Sequence, residues 1–380
     1  MTRRLIVAAF ALLGVAATMV TASGQIAEGP LLVALHDPAP EFPRPGLAVS
    51  GTTWLNSPPL TMARLRGKVV LIDFWEYTCI NCIRTFAQNK SWYERYHRHG
   101  FEIIGIHAPE FDIAHSVDNV RAAVKRLGLS YPIVVDNWFE IWNSYHNNSW
   151  PSRFLIDAKG FLRFHRAGEG ADSEFERGIQ QLLQEAHPGL NFPARDQAPP
   201  EADPFAPACG VPTSEMYVGA WYGRGILANE EGYHPGETVR YNLPRGFGDG
   251  RAAVSGAWQT DRNGMIYRGK SQNPGPQADR MEMRYHAREL YAVMNVARAK
   301  PSRLFILQDG KDLSPANRGV DVQFDSDGHS YIEVRDARMY YLVQNQTFSS
   351  HAVTLIPTAP GVTINSFTFG NNCQTQFPHL

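Results

Sequence analysis

The sequence predicts an α/β domain followed by an all-β sandwich or jelly-roll domain, and three observations lead to this fold class. Strand and helix patterns alternate over residues 37–187, prolines crowd residues 188–212, and short β-rich runs fill residues 213–380. A chain of 380 residues is long enough to form two hydrophobic cores. Its formal net charge of −1 gives no reason to expect a nucleic-acid partner.

The α/β domain is predicted from apolar, β-prone runs that alternate with helical periodicity. In chain order, these are a strand at Val69–Trp75, a helix from about Cys82 to His99, a strand at Phe101–His107, a helix at Val117–Leu127, strands at Tyr131–Val135, Phe154–Asp157 and Leu162–Arg166, and a closing helix at Glu174–Glu185. Ala158-Lys159-Gly160 predicts a hairpin between the last two strands. This order suits a mixed sheet covered by helices on both faces.

The β-domain is predicted from short apolar runs separated by turn signals. The runs are Val239–Leu243, Ser255–Gln259, Glu289–Val296, Leu304–Gln308, Tyr331–Glu333, Met339–Val343, His351–Ile356 and Ser366–Phe369. Asn263-Gly264, Asp309-Gly310 and Asp327-Gly328 are typical of tight turns between strands. Many short strands at this spacing favour a sandwich or jelly roll. The prolines of residues 188–212 predict a semi-extended linker before it.

The N-terminus predicts export. Residues 1–4 are short and basic, Leu5 to Val20 is apolar, and small residues follow, so we expect a signal peptide over residues 1–22 with cleavage after Ala22. The apolar stretch is also about long enough to remain as an uncleaved signal anchor. We therefore expect a periplasmic or extracytoplasmic protein, either soluble or tethered at its start.

Cys79 and Cys82 form a Cys-x-x-Cys pair directly after the apolar strand that ends at Trp75. A helical pattern follows at once, which places Cys79 at a helix N-terminus, where free N–H groups and the helix dipole favour a thiolate. A thiolate is the nucleophile of disulfide exchange, and a second cysteine can resolve the mixed disulfide. We therefore expect a thiol–disulfide oxidoreductase, with Cys79 the exposed thiol and Cys82 the buried one. The alternative is that this pair is half of a zinc site. Zinc would need two more ligands, and the only other cysteines, Cys209 and Cys373, are isolated and distant in the sequence.

Two further residues bear on this chemistry. Asp73 is an acid inside the apolar strand, six residues before Cys79, and apolar neighbours on both sides predict that it is buried. A buried carboxyl group should have a raised pKa and can accept a proton from a thiol. Trp150-Pro151 precedes the apolar run Phe154-Leu155-Ile156. An X-Pro bond is usually trans, so Pro151 by itself predicts only a loop.

On these residues the chain resembles the secreted, TlpA-like branch of the thioredoxin-fold proteins. That family carries an Asp-Phe-Trp-(x)3-Cys-x-x-Cys motif and a later cis-proline. The resemblance implies that Cys79 attacks, Cys82 resolves, Asp73 accepts a proton and Pro151 is a cis-proline beside the sulfurs. Trp75 and Trp150 are expected to be supporting residues of the site. Glu110, in the run Ala108-Pro109-Glu110-Phe111, is either a proton relay near the sulfurs or a surface turn residue.

Residues 75–85 and 105–111 are similar, more closely still, to the soluble C-terminal region of DipZ-type proteins. This resemblance implies a thioredoxin-like domain plus a β-sandwich like a carbohydrate-binding module, with no cofactor. It implies exported disulfide-containing proteins as partners and a membrane thiol-electron donor of the CcdA/DsbD type. Two alternatives from other classes stay open, namely a glycan- or protein-binding module on an inert thioredoxin scaffold, and a thiol peroxidase.

The β-domain offers two weaker signals. Cys209 and Cys373 bracket it, and in an oxidising compartment they are expected to form a structural disulfide, the alternative being two free thiols. A set of aromatic residues supplies either core packing or a platform for a glycan: Trp221, Tyr222, Trp258, Tyr285 and Tyr291. The cysteines of this domain lack the spacing of a reactive pair, so we expect it to contribute partner choice and not chemistry.

Overall fold

The structure, a computed structural model, describes residues 37–43, 52–192, 210–221, 223, 225–297 and 301–371. The predicted signal peptide, most of the predicted linker, Tyr222 and both Cys209 and Cys373 lie outside the described residues. Within the described ranges, every helix is too short or too polar to cross a membrane.

The first domain is a six-stranded sheet with helices packed against it. Its strands are β1 (Thr53–Leu55), β2 (Val69–Trp75), β3 (Phe101–His107), β4 (Ile133–Val135), β5 (Ser152–Ile156) and β6 (Leu162–Ala167), and its helices are α1 (Ile80–Tyr96), α2 (Val117–Leu127), α3 (Glu140–Ser144) and α4 (Asp172–Ala186). The strand order is β1-β4-β3-β2-β5-β6. Strands β2, β3 and β4 are parallel, whereas β1, β5 and β6 pair antiparallel to their neighbours. The prediction of an α/β, thioredoxin-like domain is confirmed.

Two helices of this domain differ from the predicted ones. Helix α1 begins at Ile80, two residues before the predicted start, and its predicted last residues form a separate 3₁₀ helix, His97–His99. Helix α3 was not predicted because five residues carry too little periodicity. The carboxylate of Asp136 starts it by accepting hydrogen bonds from the backbone N–H groups of Glu140, at 2.9 Å, and Trp142, at 2.8 Å.

The second domain is all-β over its described residues, as predicted. Its strands are β7 (Met216–Tyr217), β8 (Thr238–Tyr241), β9 (Arg251–Thr260), β10 (Met265–Tyr267), β11 (Arg280–Val296), β12 (Ser302–Gln308), β13 (Lys311–Asp312), β14 (Val322–Phe324), β15 (Ser330–Val334), β16 (Arg338–Pro357) and β17 (Val362–Gly370). The predicted turns at Asn263-Gly264, Asp309-Gly310 and Asp327-Gly328 each fall between two of these strands.

Long strands join the β-domain into one hydrogen-bonded sheet. Strand β11 pairs with β16 on one side, and on the other side first with β9 and then with β17. Strand β10 joins β9 to β17 and so completes a ring of four strands. The main buried core, which includes Trp258, Tyr285 and Phe367, lies inside this arrangement, and a smaller buried cluster forms around Phe305 and Tyr331. The strands are therefore joined by hydrogen bonds around the main core.

Two of the predicted strands merge into β16. The segment between them, residues 344–350, is polar and reads as a break in the sequence. The strand continues through it because its backbone pairs with the first half of β11, where Tyr285 lies opposite His351. That half of β11 was also missed, although Met281, Met283 and Tyr285 are buried at every second position.

The β-domain contacts helix α1 through a buried ion pair. Arg84 of α1 lies 3.3 Å from Glu289 of β11, and the two side chains are 15% and 3% exposed. The hydroxyl groups of Tyr291 and Tyr341 donate to the same carboxylate at 3.0 and 2.9 Å. A Cβ atom at Gly370 would lie 2.3 Å from the Glu289 carboxylate, so this position requires glycine. The two domains are therefore joined by specific side-chain contacts as well as by the chain.

We predict that Arg84→Met destabilises the protein by about 3–5 kcal/mol, because it removes the cation that pairs with the buried carboxylate of Glu289 and with the carboxylate of Glu169. The measurement is the free energy of unfolding in urea. Arg335→Met is the matched control, since Arg335 pairs with Glu333 at the surface of the β-domain and should cost less than about 1 kcal/mol. Equal costs for the two variants would contradict the prediction.

Candidate active site

The two predicted thiols meet at the N-terminus of α1. Cys79 is the N-cap residue, with an extended backbone, and its sulfur accepts a hydrogen bond from the backbone N–H of Cys82 at 3.3 Å. The two Sγ atoms lie 2.7 Å apart, and both cysteines are free thiols in this structure. Cys79 is partly exposed and Cys82 is buried. The exposed and buried members of the pair are thus the ones that the sequence predicts.

Both thiols are nevertheless held in the protonated form. Burial raises the pKa of Cys79, and the charges of Glu110 and Glu76 raise it further, against the opposing hydrogen bonds from Cys82. The pKa of Cys82 is raised well above its ordinary value, first by burial and then by its contact with Cys79. The helix N-terminus that favours a thiolate is present, but burial and two nearby carboxyl groups outweigh it at Cys79.

Asp73 is completely buried in the central strand β2, as predicted. Burial raises its pKa to about 7, against the lowering effects of the Arg153 charge and of a hydrogen bond from Asn89. The Asn89 amide donates to one carboxyl oxygen at 2.9 Å. The charge of Asp73 in turn raises the pKa of Cys82, so the two groups lie close enough to interact electrostatically. A carboxyl group with a pKa near neutrality suits proton exchange with a thiol.

Sequence reasoning missed the cation beside Asp73. Arg153 lies opposite Asp73 in the β2–β5 register, is completely buried, and forms an ion pair with Asp172 at 2.8 Å. Its guanidinium group also lies over the ring of Phe175, 4.5 Å from the centroid. An arginine within a buried strand was the signal that could have identified it, because an unpaired charge is rarely buried.

Pro151 is a cis-proline, as the resemblance implies. The Trp150-Pro151 peptide bond is cis and precedes strand β5. The indole N–H of Trp150 donates to the backbone carbonyl of Ala108 at 3.1 Å, just beyond β3. Trp75 is fully buried at the end of β2, and a Cβ atom at Gly105 would lie 2.9 Å from its indole nitrogen. Gly105 therefore gives the Trp75 ring its space.

Glu110 lies at the boundary with the β-domain. The phenol of Tyr217, on β7, contacts one carboxyl oxygen of Glu110 and lies 3.0 Å from a carboxyl oxygen of Glu215. The rings of Phe111 and Tyr217 also pack together, with centroids 5.9 Å apart. Glu215 and Tyr217 were missed because nothing in the local sequence around them indicates a site. Their role depends on a contact between segments far apart in the chain.

A second carboxyl group, Glu76, is completely buried between Trp75 and Cys79. One of its oxygens accepts a hydrogen bond from the backbone N–H of Thr78 at 2.6 Å, and the hydroxyl of the same threonine also donates to it. The other oxygen lies 3.8 Å from Nε2 of His107, whose ring is also fully buried. The thiols are therefore bordered by three carboxyl groups of the first domain, Asp73, Glu76 and Glu110.

Most of the aromatic residues proposed as a glycan platform belong to the core. Trp258, Tyr285 and Tyr291 are all buried, so the platform that they would form with their neighbours is ruled out as an exposed surface. Trp221 remains 59% exposed, with the Arg262 guanidinium 4.5 Å from its ring centroid. One exposed ring held by an arginine does not distinguish a glycan site from an ordinary surface.

Two protein families match this chain. Residues 35–165 match the AhpC/TSA family, and residues 213–370 match the family described as Thioredoxin like C-terminal domain. Protein DipZ of Mycobacterium tuberculosis is 35% identical over 267 residues, which are 68% of this chain and 36% of that protein. The chain thus spans about a third of the length of the curated DipZ proteins that it matches.

Other relatives match shorter parts of this chain. Thiol-disulfide oxidoreductase ResA of Geobacillus kaustophilus is 29% identical over 117 residues, which are 31% of this chain and 64% of that protein. Among solved structures, a thiol:disulfide interchange protein of the thioredoxin family from Chlorobium tepidum is similar over 39% of this chain and 96% of its own, with 25% identity and a TM-score of 0.30.

We predict that Asp73→Asn stabilises the protein at alkaline pH. The raised pKa of Asp73 means that the folded state binds a proton more tightly than the unfolded state, so this group weakens the fold as pH rises from about 4 to about 7. Asparagine removes that loss, and above pH 8 the variant should be more stable by on the order of 3 kcal/mol. Urea unfolding between pH 4 and pH 9 measures this.

The same substitution should slow disulfide exchange, because Cys82 loses its proton acceptor. Asp112→Asn is the matched control, since Asp112 is exposed and lies in the 3₁₀ helix Asp112–His115. A stability profile for Asp73→Asn that runs parallel to that of the wild type would contradict the buried-acid assignment.

We also predict that iodoacetamide modifies Cys79 before Cys82 at every pH, because Cys79 is partly exposed and the pKa of Cys82 is raised the more strongly. Mass spectrometry of peptides from the reduced protein measures the order. Faster modification of Cys82 would reverse the assignment of attacking and resolving thiols.

Proposed function

We propose, from the premise that this chain is a thioredoxin-fold homologue of the DipZ proteins, that it is an exported thiol–disulfide oxidoreductase. In this proposal it exchanges disulfides with extracytoplasmic proteins through Cys79 and Cys82. The observation that carries the proposal is the pair of free thiols, 2.7 Å apart at the start of α1, with the acid Asp73 buried in the strand that leads to them.

The exchange proceeds in two steps. Cys79 gives up its proton and attacks one sulfur of the substrate disulfide, which breaks that bond, forms a mixed disulfide and releases the first substrate thiolate. Cys82 then gives up its proton and attacks the Cys79 sulfur, which forms the Cys79–Cys82 disulfide and releases the second thiolate. Two electrons pass to the substrate, and the two thiol protons are balanced by the two protons that the substrate sulfurs take up.

Asp73 serves the second step in this scheme. Its pKa of about 7 lets it exist as a carboxylate in a useful fraction of molecules at neutral pH. The carboxylate accepts the proton of Cys82, the thiol whose own pKa makes spontaneous ionisation rare. Arg153 and Asn89 keep Asp73 ionisable, because both favour its charged form.

The compartment and the partners are part of the proposal, and the sequence supports them. The basic residues 1–4 and the apolar run to Val20 support export, and exported proteins are where stable disulfides occur. Disulfide-containing exported proteins would then be the substrates. A membrane thiol-electron donor would return the oxidised pair to the dithiol form, and a disulfide between Cys209 and Cys373 would close the β-domain.

The test is an insulin-reduction assay with full-length wild type, Cys79→Ser and Cys82→Ser. We expect the wild type to reduce insulin with dithiothreitol as the electron source. Cys79→Ser should be inactive, because the attacking sulfur is gone, and Cys82→Ser should accumulate a mixed disulfide that non-reducing electrophoresis detects.

Two further measurements test the alternative functions, a thiol peroxidase and a binding module. Peroxide consumption by the wild type that exceeds insulin reduction would favour a thiol peroxidase. Insulin reduction at the same rate in the wild type and Cys79→Ser, together with retention on a glycan array, would favour a binding module on an inert scaffold.

A further inference from the structure

A carboxyl–phenol–carboxyl contact crosses the domain boundary next to the thiols. The Tyr217 hydroxyl reaches a carboxyl oxygen of Glu110, which follows β3, and a carboxyl oxygen of Glu215, 3.0 Å away, which precedes β7. Glu110 is close enough to Cys79 for its charge to raise the pKa of that thiol. The β-domain thus brings a phenol and a carboxyl group to a residue that borders the attacking sulfur.

The number of protons that Glu110, Tyr217 and Glu215 share determines which hydrogen bonds can form among them. A phenol has one proton to donate, so it can satisfy only one of two ionised carboxylates. The second hydrogen bond forms only if one carboxyl group is protonated and donates to the phenol oxygen. Two ionised carboxylates on one phenol would also repel each other. The full contact therefore requires one bound proton.

The surroundings favour Glu110 as the carboxyl group that holds this proton. Glu215 is the more exposed of the two, and its other oxygen accepts a hydrogen bond from the Thr368 hydroxyl at 2.9 Å. Burial raises the pKa of Glu215, but hydrogen bonds from both Thr368 and Tyr217 oppose that effect. Glu110 is half-buried; burial raises its pKa to about 8 and the charge of Glu215 raises it further, against the single hydrogen bond from Tyr217.

We propose that Tyr217 and Glu215 of the β-domain are positioning residues of the thiol site: the Tyr217 phenol holds Glu215 next to Glu110, and the charge of Glu215 keeps a proton on Glu110 beside Cys79. The β-domain then takes part in setting when Cys79 can ionise. This inference rests on the proposed dithiol function and adds a regulator to it. The groups that face Glu110 are Cys79 at the start of α1, Glu76 after β2, and Tyr217 and Glu215 at β7.

A protonated Glu110 is neutral. A neutral neighbour opposes the ionisation of Cys79 less than a negatively charged neighbour does. Below about pH 8, Glu110 is neutral and exerts no charge on the sulfur. Above that pH the Glu110 carboxylate opposes ionisation of Cys79. Loss of the Glu215 charge should lower the pKa of Glu110, so that its carboxylate already acts on Cys79 at neutral pH.

The first experiment measures the pKa of Glu110 directly. Full-length reduced protein is labelled with ¹³C at glutamate carboxyl carbons, and the Glu110 signal, assigned by its absence in Glu110→Gln, is titrated by NMR. We expect a midpoint near 8 in the wild type and a midpoint lower by about one pH unit or more in Glu215→Gln. In a Tyr217→Phe background, Glu215→Gln should have a smaller effect, because the bridge between the carboxyl groups is already lost.

The second experiment measures the rate at which iodoacetamide modifies Cys79 between pH 6 and pH 10. Glu110→Gln should match the wild type at pH 7 and react faster at pH 9, because only the wild type then carries a charge at this position. Glu215→Gln should react more slowly than the wild type at pH 7, by about two- to tenfold if the Glu110 charge moves the pKa of Cys79 by up to one unit.

Glu282→Gln is the matched control, since Glu282 is a partly exposed carboxylate of the β-domain that pairs with Arg280 at 2.7 Å. It should change neither the Glu110 titration nor the Cys79 profile. A Glu110 midpoint below 6 in the wild type, or an unchanged midpoint in Glu215→Gln, would overturn the inference. Thermal unfolding confirms that each variant is folded.

The two proposals fail in different ways. If the wild type does not reduce insulin while the Glu110 and Cys79 profiles shift as expected, the proposed function is wrong and the proton bridge stands. If the wild type reduces insulin but Glu215→Gln and Tyr217→Phe leave both profiles unchanged, the function stands and the contact only joins the domains.

Discussion

The carboxyl group of Asp73 has to be accommodated inside the central strand of the first domain, and the arrangement beneath the thiols follows from that requirement. An ionised carboxylate without partners is strongly disfavoured in a protein interior. The fold supplies an amide from α1, Asn89, and the positive charge of Arg153 on the adjacent strand. These partners stop short of full compensation, and the acid is left with a pKa of about 7.

The buried charge of Arg153 requires partners in the same way as the carboxyl group of Asp73. A buried guanidinium group also needs partners, and it finds them in Asp172 at the start of α4 and in the ring of Phe175. The closing helix is thus tied to the central strand by electrostatics as well as by apolar packing. The acid, the arginine and the helix form one connected set, so a change at Arg153 or at its partner Asp172 should affect the pKa of Asp73.

Local sequence patterns predicted that Cys79 and Cys82 lie at the start of a helix and that Asp73 is buried, because each of these residues departs from what a plain strand or helix would carry. They also predicted the alternation of elements in the first domain and the all-β character of the second. Strand β16 was split in two because its middle is polar, and only its pairing with β11 keeps that segment extended. Glu215 and Tyr217 were not predicted as site residues for a related reason, because their partner, Glu110, belongs to the other domain. Contacts between distant segments leave no periodic signal in the sequence.

The pairing of strand β7 with β17 affects the order in which the protein folds. Its only described strand partner is β17, where Tyr217 lies opposite Ser366, so the first and last strands of the β-domain are neighbours. Pairing between the ends of a domain closes a long loop and belongs to the slow events of folding. The first domain is made earlier and consists of more local units. During synthesis the dithiol is therefore completed before Tyr217 and Glu215 arrive, and a newly made chain passes through a period in which Glu110 lacks both of these partners.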